Sequence, residues 1–529
     1  MLTSDPGALA ASYDYLVVGG GTAGDVLAAR LSEDTDARVL LLEAGGAHHG
    51  VGAIRDATRW TSLLRGEHDW GYDYEPSERV NGRVLGIPRG RVLGGSSSVN
   101  AMLWYRGNRR DYDLWGENGA TGWDFDALLP YFRLSEDWEG GANAYRGAGG
   151  PMRVETSKRP HAVAAAMLEA APSVGIPVID DPNAEDNEGA ALANMNGLTR
   201  PGLPMERWST ARGYLDPALA RPNLAVLTDA EVRRVVWRGS RAVGVVFSSG
   251  GRDVAVAADR GVVLTAGAIG TPRILWHSGV GDPEELAAVG LPTRLALRGV
   301  GRNYMDHPLL QGLSFRFRGD MGPLTDNGGG TMMNWRSSVA DGRPDLHAFV
   351  AQTGQATPAV RERFPLGDEP AFAVSPGLMS ARSVGWMRLV SPDPAVAPLI
   401  QPNFLDHPDD MTALVEAIDV VFDLLDAPAY RAVSDGALTP DRRLDAKERE
   451  EYVRDSVETF FHSSGTAKMG VDEMAVVDPS LRVHGADALW VADASVIPTL
   501  PTANTQACVV AVAERAAELI DGRSRIGTA

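Results

Sequence analysis

The first run along the chain whose residue types could do chemistry is Gly19-Gly20-Gly21-Thr22-Ala23-Gly24. It fits G-x-G-x-x-G, with Gly19, Gly21 and Gly24 at the fixed positions. Such a run holds the pyrophosphate of a dinucleotide, and its glycines meet three needs: a tight turn, close backbone approach to the phosphates, and close packing of a helix on a strand. Glu43 stands 19 residues after Gly24, where an acceptor for ribose hydroxyls belongs. A glycine run alone is a weak signal, so the elements around it must decide.

Those elements occur in the required order. Tyr13 to Val18 is short, apolar and β-branched, the pattern of a buried strand, and Asp25 to Leu31 has the Ala/Leu texture of a helix. Val39-Leu40-Leu41-Leu42-Glu43 reads as a second buried strand. The N-terminus of that helix then offers free N–H groups and a positive dipole end to phosphate, and Thr22 and Ala23 are expected to bind the cofactor there. This β-turn-α-β unit opens a doubly wound nucleotide-binding domain. The residues named so far leave NAD and FAD both open.

Further strands are expected at 225–227, 232–236, 242–247, 262–266 and 489–493, and a long Ala/Val-rich helix at 505–520. Between about 308 and 455 the texture changes to broken strands, prolines and irregular loops, which reads as a second, inserted domain. At 529 residues the chain exceeds what one core usually supports, so two domains are expected. The net charge of −19 disfavours nucleic acid and anionic membrane surfaces as partners. The single cysteine, Cys508, excludes an internal disulfide and a multi-cysteine metal site, and its apolar neighbours mark it as a small buried hydrophobe. No metal site is expected, because the adjacent pair His48-His49 has no spaced carboxylate or thiolate partner. No secretory signal and no apolar run near the roughly 20 residues of a membrane span are visible, so a cytoplasmic location is expected.

Two later segments add a resemblance. Gly90 to Asn100, GRVLGGSSSVN, resembles the first signature of the glucose-methanol-choline (GMC) oxidoreductases, and Gly267 to Gly281, GAIGTPRILWHSGVG, is similar to their second. Val300-Gly301-Arg302-Asn303-Tyr304-Met305-Asp306-His307-Pro308 follows, as it does in that family. The likeness spans about 13–520 and implies FAD as the cofactor. Read physically, the paired glycines and three serines form a compact loop of backbone and hydroxyl donors suited to phosphate oxygens or a flavin edge. The resemblance assigns Arg91, Val92, Gly94, Gly95 and Ser96 to cofactor binding, Asn100 to the flavin, and the Val232 backbone to the adenine. Trp70 either flanks the cofactor or is a plain core tryptophan. Relatives that tether the flavin covalently carry a histidine where this chain has Val99, so non-covalent FAD is expected.

Phe461-His462-Ser463-Ser464-Gly465 resembles the family's histidine-containing active-site segment. Asp493, Ala494, Asn504 and Thr505 also fall on family positions and are assigned to the cofactor. In relatives a second His or Asn stands beside the catalytic histidine; here it is Asn504, 42 positions after His462. Alcohol oxidation explains the pair. A hydroxyl is very weakly acidic, and imidazole can take its proton near neutral pH. An amide donor can stabilise the oxygen as negative charge develops, and the flavin accepts the hydride. Thr505 opens the last helix, whose N-terminal dipole would stabilise a reduced flavin. His307 is expected to be structural or to line the substrate pocket.

The implied fold is α/β: a Rossmann-like FAD-binding domain over 13–155, 200–307 and 456–522, with an inserted α+β substrate-binding domain over 156–199 and 308–455. Phe372, Trp386 and Met387 are expected in the substrate pocket, and Phe460 and Phe461 suggest an apolar or aromatic wall. Choline-specific relatives carry a glutamate where this chain has Leu309, which argues against choline. The expected partners are a small-molecule alcohol and O2, a quinone-like molecule or another electron acceptor, with homo-oligomerisation left open. A non-redox lyase or photodecarboxylase of the same fold is the alternative. A non-catalytic flavin binder and an NAD-dependent dehydrogenase are disfavoured by the His/Asn pair and the two signatures respectively.

Overall fold

The computed structural model describes residues 1–526. Strand Ser12–Val18 lies inside a mixed eight-stranded sheet; Tyr15 to Val18 are buried, as a parallel strand covered on both faces requires, while Ser12 and Asp14 are only half-buried. It pairs in parallel with Val39–Leu42 on one side, Val18 opposite Leu42, and with Arg252–Leu264 on the other. Leu224–Leu227 extends the parallel part beyond Val39–Leu42. Glu231–Arg238 and Arg241–Ser249 form the antiparallel flank.

Arg252–Leu264 belongs to both parts. Its first half pairs antiparallel with Arg241–Ser249, and its last three residues pair in parallel with both Ser12–Val18 and Leu489–Val491. The sequence pattern marked only 262–266, because the first half carries exposed charged side chains and lacks a continuous apolar run. Helices Thr22–Leu31 and Thr505–Asp521 pack together on this sheet. Arg30 clamps Glu514 with two hydrogen bonds of 2.8 Å, and Tyr214 donates to the same carboxylate at 2.6 Å.

The second large sheet is antiparallel throughout: Ser434–Thr439, Ser314–Phe317, Ala371–Leu378, Leu346–Ala351, Thr331–Trp335 and Gly189–Leu192, in that order. Ala371–Leu378 is buried at every residue. Helix Pro408–Leu425 covers it, burying Ala413, Leu414, Ala417, Ile418 and Val421 on one stripe. The irregular texture expected here is therefore corrected: prolines break the segments between strands, while the strands and this helix are regular. Pro308–Leu310 joins the sheet at Ala371–Leu378 and pairs with Val457–Thr459, Pro308 opposite Thr459. That pairing sets His307 and His462, 155 residues apart in sequence, beside each other.

Candidate active site

A cavity of about 320 Å³ lies between the two sheets. At one end its wall is the glycine loop. Gly19 leaves the first strand at φ +105°, and a Cβ there would stand 2.7 Å from the Thr265 carbonyl oxygen. A Cβ on Gly24 would meet the Gly19 oxygen at 1.8 Å, so only glycine lets the helix approach the strand. Gly21 begins the helix with no side-chain cap, leaving first-turn N–H groups open where Thr22 and Ala23 line the cavity. Glu43 accepts from Gly20 N–H at 2.8 Å and Gly45 N–H at 2.7 Å. Burial pushes its carboxyl up to about 7 against the pull of those two donors.

The 94–100 turn is tied to the loop by Gly94 N–H donating to the Gly20 carbonyl at 2.7 Å. Gly95, Ser96 and Asn100 lie on the wall, and Asn100 donates to Gln506 Oε1 at 2.5 Å. Trp70 is on the wall too, stacked on Tyr72 at 5.9 Å, with the Arg91 guanidinium 5.0 Å from its ring centre. Val232, Asp493, Ala494 and Thr505 complete the expected set on the wall. Asp493 accepts from Gly267 N–H and Thr271 Oγ1, which fixes the start of helix Gly267–His277 against the cavity. Gly24, Arg91, Val92 and Gly94 do not line the cavity: Arg91 is exposed, and Val92 packs with Ile54, Leu63 and Val99. Glu231, Arg233 and Arg89 line the cavity without having been singled out from the sequence, since no local motif marks them.

The donor set fits a dinucleotide. Open helix N–H groups meet a loop whose Gly19 and Gly24 leave no room for a Cβ, and a carboxylate waits at the end of the second strand. Two buried polar atoms, Asn504 Oδ1 and Gln506 Nε2, have no protein partner, and both residues face the cavity.

At the other end His462 and Asn504 meet, with Asn504 Nδ2 3.2 Å from His462 Nε2. An amide nitrogen only donates, so the lone pair sits on His462 Nε2 and its proton on Nδ1. His462 Nδ1 lies 2.8 Å from His307 Nδ1, which accepts that proton's hydrogen bond. Burial, first of all, holds the His462 imidazole well below its ordinary pKa, helped by His307, Arg89 and His347, so the ring is neutral. Burial likewise pushes His307 down to about 3.

The backbone before His462 is constrained. Phe461 adopts φ +67°, a conformation that costs an aromatic residue energy. Its N–H donates to Thr459 Oγ1 at 2.7 Å, and its carbonyl accepts from Arg89. Asp306 ties both histidines down: Oδ1 accepts from His307 N–H at 2.8 Å and His462 N–H at 2.7 Å, while Oδ2 accepts from Tyr74 at 2.5 Å and from Thr459. The Asp-His-Pro segment could be seen in the sequence, but the strand pairing that makes Asp306 a shared anchor could not.

Two expectations are corrected. Phe372 is stacked on Tyr430 in the core of the second sheet, Met387 is buried, and Trp386 sits in a small hairpin; none lines the cavity, whereas Phe460 and Phe461 do. Of the two roles expected for His307 the structural one fits, since it is buried behind His462 and does not reach the wall. His48 and His49 do have a carboxylate partner, since the fold sets both Nε2 atoms 3.1 Å from Asp216 Oδ1.

Family models for GMC oxidoreductase match residues 13–309 and 381–513. The mitochondrial choline dehydrogenase of Homo sapiens is 37% identical over 97% of this chain and 90% of its own length. The oxygen-dependent choline dehydrogenase of Paraburkholderia phytofirmans is also 37% identical, over 97% of this chain and 94% of its own. The crystal structure of pyridoxine 4-oxidase from Mesorbium loti superposes with a TM-score of 0.91 at 30% identity, covering 97% of this chain and all of that one. The lyase alternative draws no support from these relatives.

Proposed function

The chain belongs to the GMC oxidoreductase family as an FAD-dependent oxidoreductase acting on CH–OH donors, and from that premise we propose that His462 is the base and Asn504 the oxygen-side donor. The carrying observation is the buried His462 ring on the cavity wall with the Asn504 amide nitrogen 3.2 Å from its Nε2; an amide nitrogen there and burial of the ring both favour a neutral imidazole with its lone pair on Nε2. With an alcohol hydroxyl seated between them, Nε2 takes the proton and the Asn504 N–H turns to the oxygen as negative charge grows there. FAD, when bound, supplies the acceptor for the hydride that leaves the carbinol carbon, so an aldehyde or ketone results. His307 accepts from Nδ1 and Asp306 fixes both backbones, which keeps the base-competent tautomer aimed at the cavity.

Gly19, Gly21, Thr22, Ala23, Gly95 and Ser96 would hold the pyrophosphate, Glu43 a ribose, and Val232 the adenine side. Asn100, Asp493, Ala494 and Thr505 would hold the ring end. The first turn of Thr505–Asp521, free of a side-chain cap, would stabilise negative charge on the reduced ring. Val99 is a buried aliphatic residue without a nucleophilic atom, which supports non-covalent FAD. We assign 13–155, 200–307 and 456–522 to FAD binding and 156–199 with 308–455 to the substrate; Val457–Thr459 is where the first part pairs into the second sheet. Reoxidation by O2 or a quinone-like acceptor and a cytoplasmic location complete the proposal; among the described residues no helix is long and apolar enough to cross a membrane.

The test is anaerobic addition of a panel of alcohols while the oxidised-flavin absorbance is followed. Bleaching by an alcohol is expected. A flavin that dithionite reduces and no alcohol does would contradict the proposal. Admitting air then separates the acceptors by how fast the colour returns.

A further inference from the structure

Resting on that reading, the alcohol end of the cavity carries information about the substrate. We propose that the substrate is an uncharged alcohol whose carbinol carbon bears an aromatic or similarly apolar body, selected by Leu309, Phe349 and Phe460.

Strand pairing puts these three side chains together. Leu309 lies opposite Gly377 on one side and Glu458 on the other, and it forms an apolar cluster with Met379 and Phe460 against which Phe349 packs. Gly377 leaves room for the Phe460 ring, since a Cβ there would come within 3.1 Å of it. The Phe460 ring centre is 4.8 Å from the His462 ring at 35° and 5.6 Å from Phe349 at 32°. An aromatic wall therefore begins at the base and runs away from it. A planar group attached to the carbinol carbon can pack along it in the offset geometry that aromatic rings favour.

Charge decides against a cationic head. The wall residues contributed by 309–355 and 460–463 include no aspartate or glutamate. Asp306 is near but buried behind the histidines, its oxygens occupied by four donors. The fixed charge on this side is the Arg89 guanidinium, a cation, which also lines the cavity. Aromatic faces attract a cation on their own. Here that attraction would have to offset the loss of hydration with no carboxylate on this part of the wall to contact the cation and a guanidinium nearby. A neutral apolar alcohol meets none of these costs. This separates the chain from the choline dehydrogenases it matches over nearly its whole length.

The experiment is anaerobic stopped-flow reduction of the holoenzyme by benzyl alcohol, 1-hexanol and choline. Reduction by benzyl alcohol is expected to be more efficient than by choline by a factor on the order of 100 or more, with 1-hexanol between them. Choline as good as or better than benzyl alcohol would overturn the inference while leaving the His462 reading intact; no reduction by any of the three, nor by the wider panel, would sink both. Leu309→Glu should lower benzyl alcohol efficiency about tenfold or more with flavin content retained, because it places a carboxylate in the apolar wall. Phe349→Ala, which also serves should the glutamate variant fail to fold, should raise KM for benzyl alcohol about tenfold with kcat changed less than threefold, the mark of lost uniform binding. Unaltered benzyl alcohol kinetics in Phe349→Ala would show that this wall does not select the substrate.

Discussion

At the nucleotide end of the cavity the wall is largely backbone: a loop without side chains, open helix N–H groups, and one carboxylate at a strand end. At the alcohol end it is side chains, contributed by strands of the second sheet and by the segment after Thr459. Burial acts on both and favours the neutral form in each, pushing Glu43 up and the imidazoles of His307, His347 and His462 down. The difference lies in what each end tolerates. A backbone-built site fails where an added Cβ would meet main-chain atoms, as at Gly19 and Gly24. A side-chain-built site keeps its fold through substitution and changes its chemistry or its substrate.

The strongest way to break the comparison is Gly24→Ala. Its methyl would overlap the Gly19 carbonyl, so helix and strand must separate and the cradle with them. The variant is expected to purify without flavin absorbance and with a lowered Tm; a fully yellow, equally stable protein would show that the cradle is not backbone-limited. At the other end, Asp306→Ala should slow flavin reduction by an alcohol about 10²-fold, since it frees the two histidine backbones from a shared anchor. Asp306→Asn should recover to within about tenfold, because one oxygen still accepts both N–H groups and the hydroxyls of Tyr74 and Thr459 can turn to accept from the amide. Equal rates in the two variants would remove the anchoring role.

The smallest effect concerns acid stability. Burial pushes His347 down to about 4 and His307 to about 3, while an unfolded histidine titrates near 6.5. Between about pH 6.5 and 4 the unfolded chain binds protons that the native chain does not, so each group removes stability as pH falls, at about 1.4 kcal/mol per pH unit in the limit. His347→Gln should therefore flatten the fall of Tm with acid across that window. A slope identical to that of the parent protein would contradict a neutral buried His347.

How much of this the sequence could carry follows the same division. The glycine loop, Glu43, the strands at 12–18 and 39–42 and the helix from Thr22 lie within about thirty consecutive residues, so local spacing was enough to read them. His462 and Asn504 were legible through their motif segments. Their contact depends on the chain turning back between Asp493 and Thr505, which no local pattern encodes. Phe372, Trp386 and Met387 went the wrong way because an aromatic or sulfur side chain in an inserted domain fits core and pocket equally well, and strand register alone decides which it meets. Helix Pro408–Leu425 was obscured by the proline-rich stretch before it, although its apolar stripe has ordinary helical spacing.

The central claim is that the imidazole at position 462 takes the alcohol's proton. It is tested most directly by anaerobic reduction of His462→Ala holoenzyme with the best alcohol from the panel, at matched flavin content and spectrum. A rate lower by 10²–10⁴-fold is expected for loss of a general base. A rate within tenfold of the parent enzyme would contradict it and place the base elsewhere in the cavity.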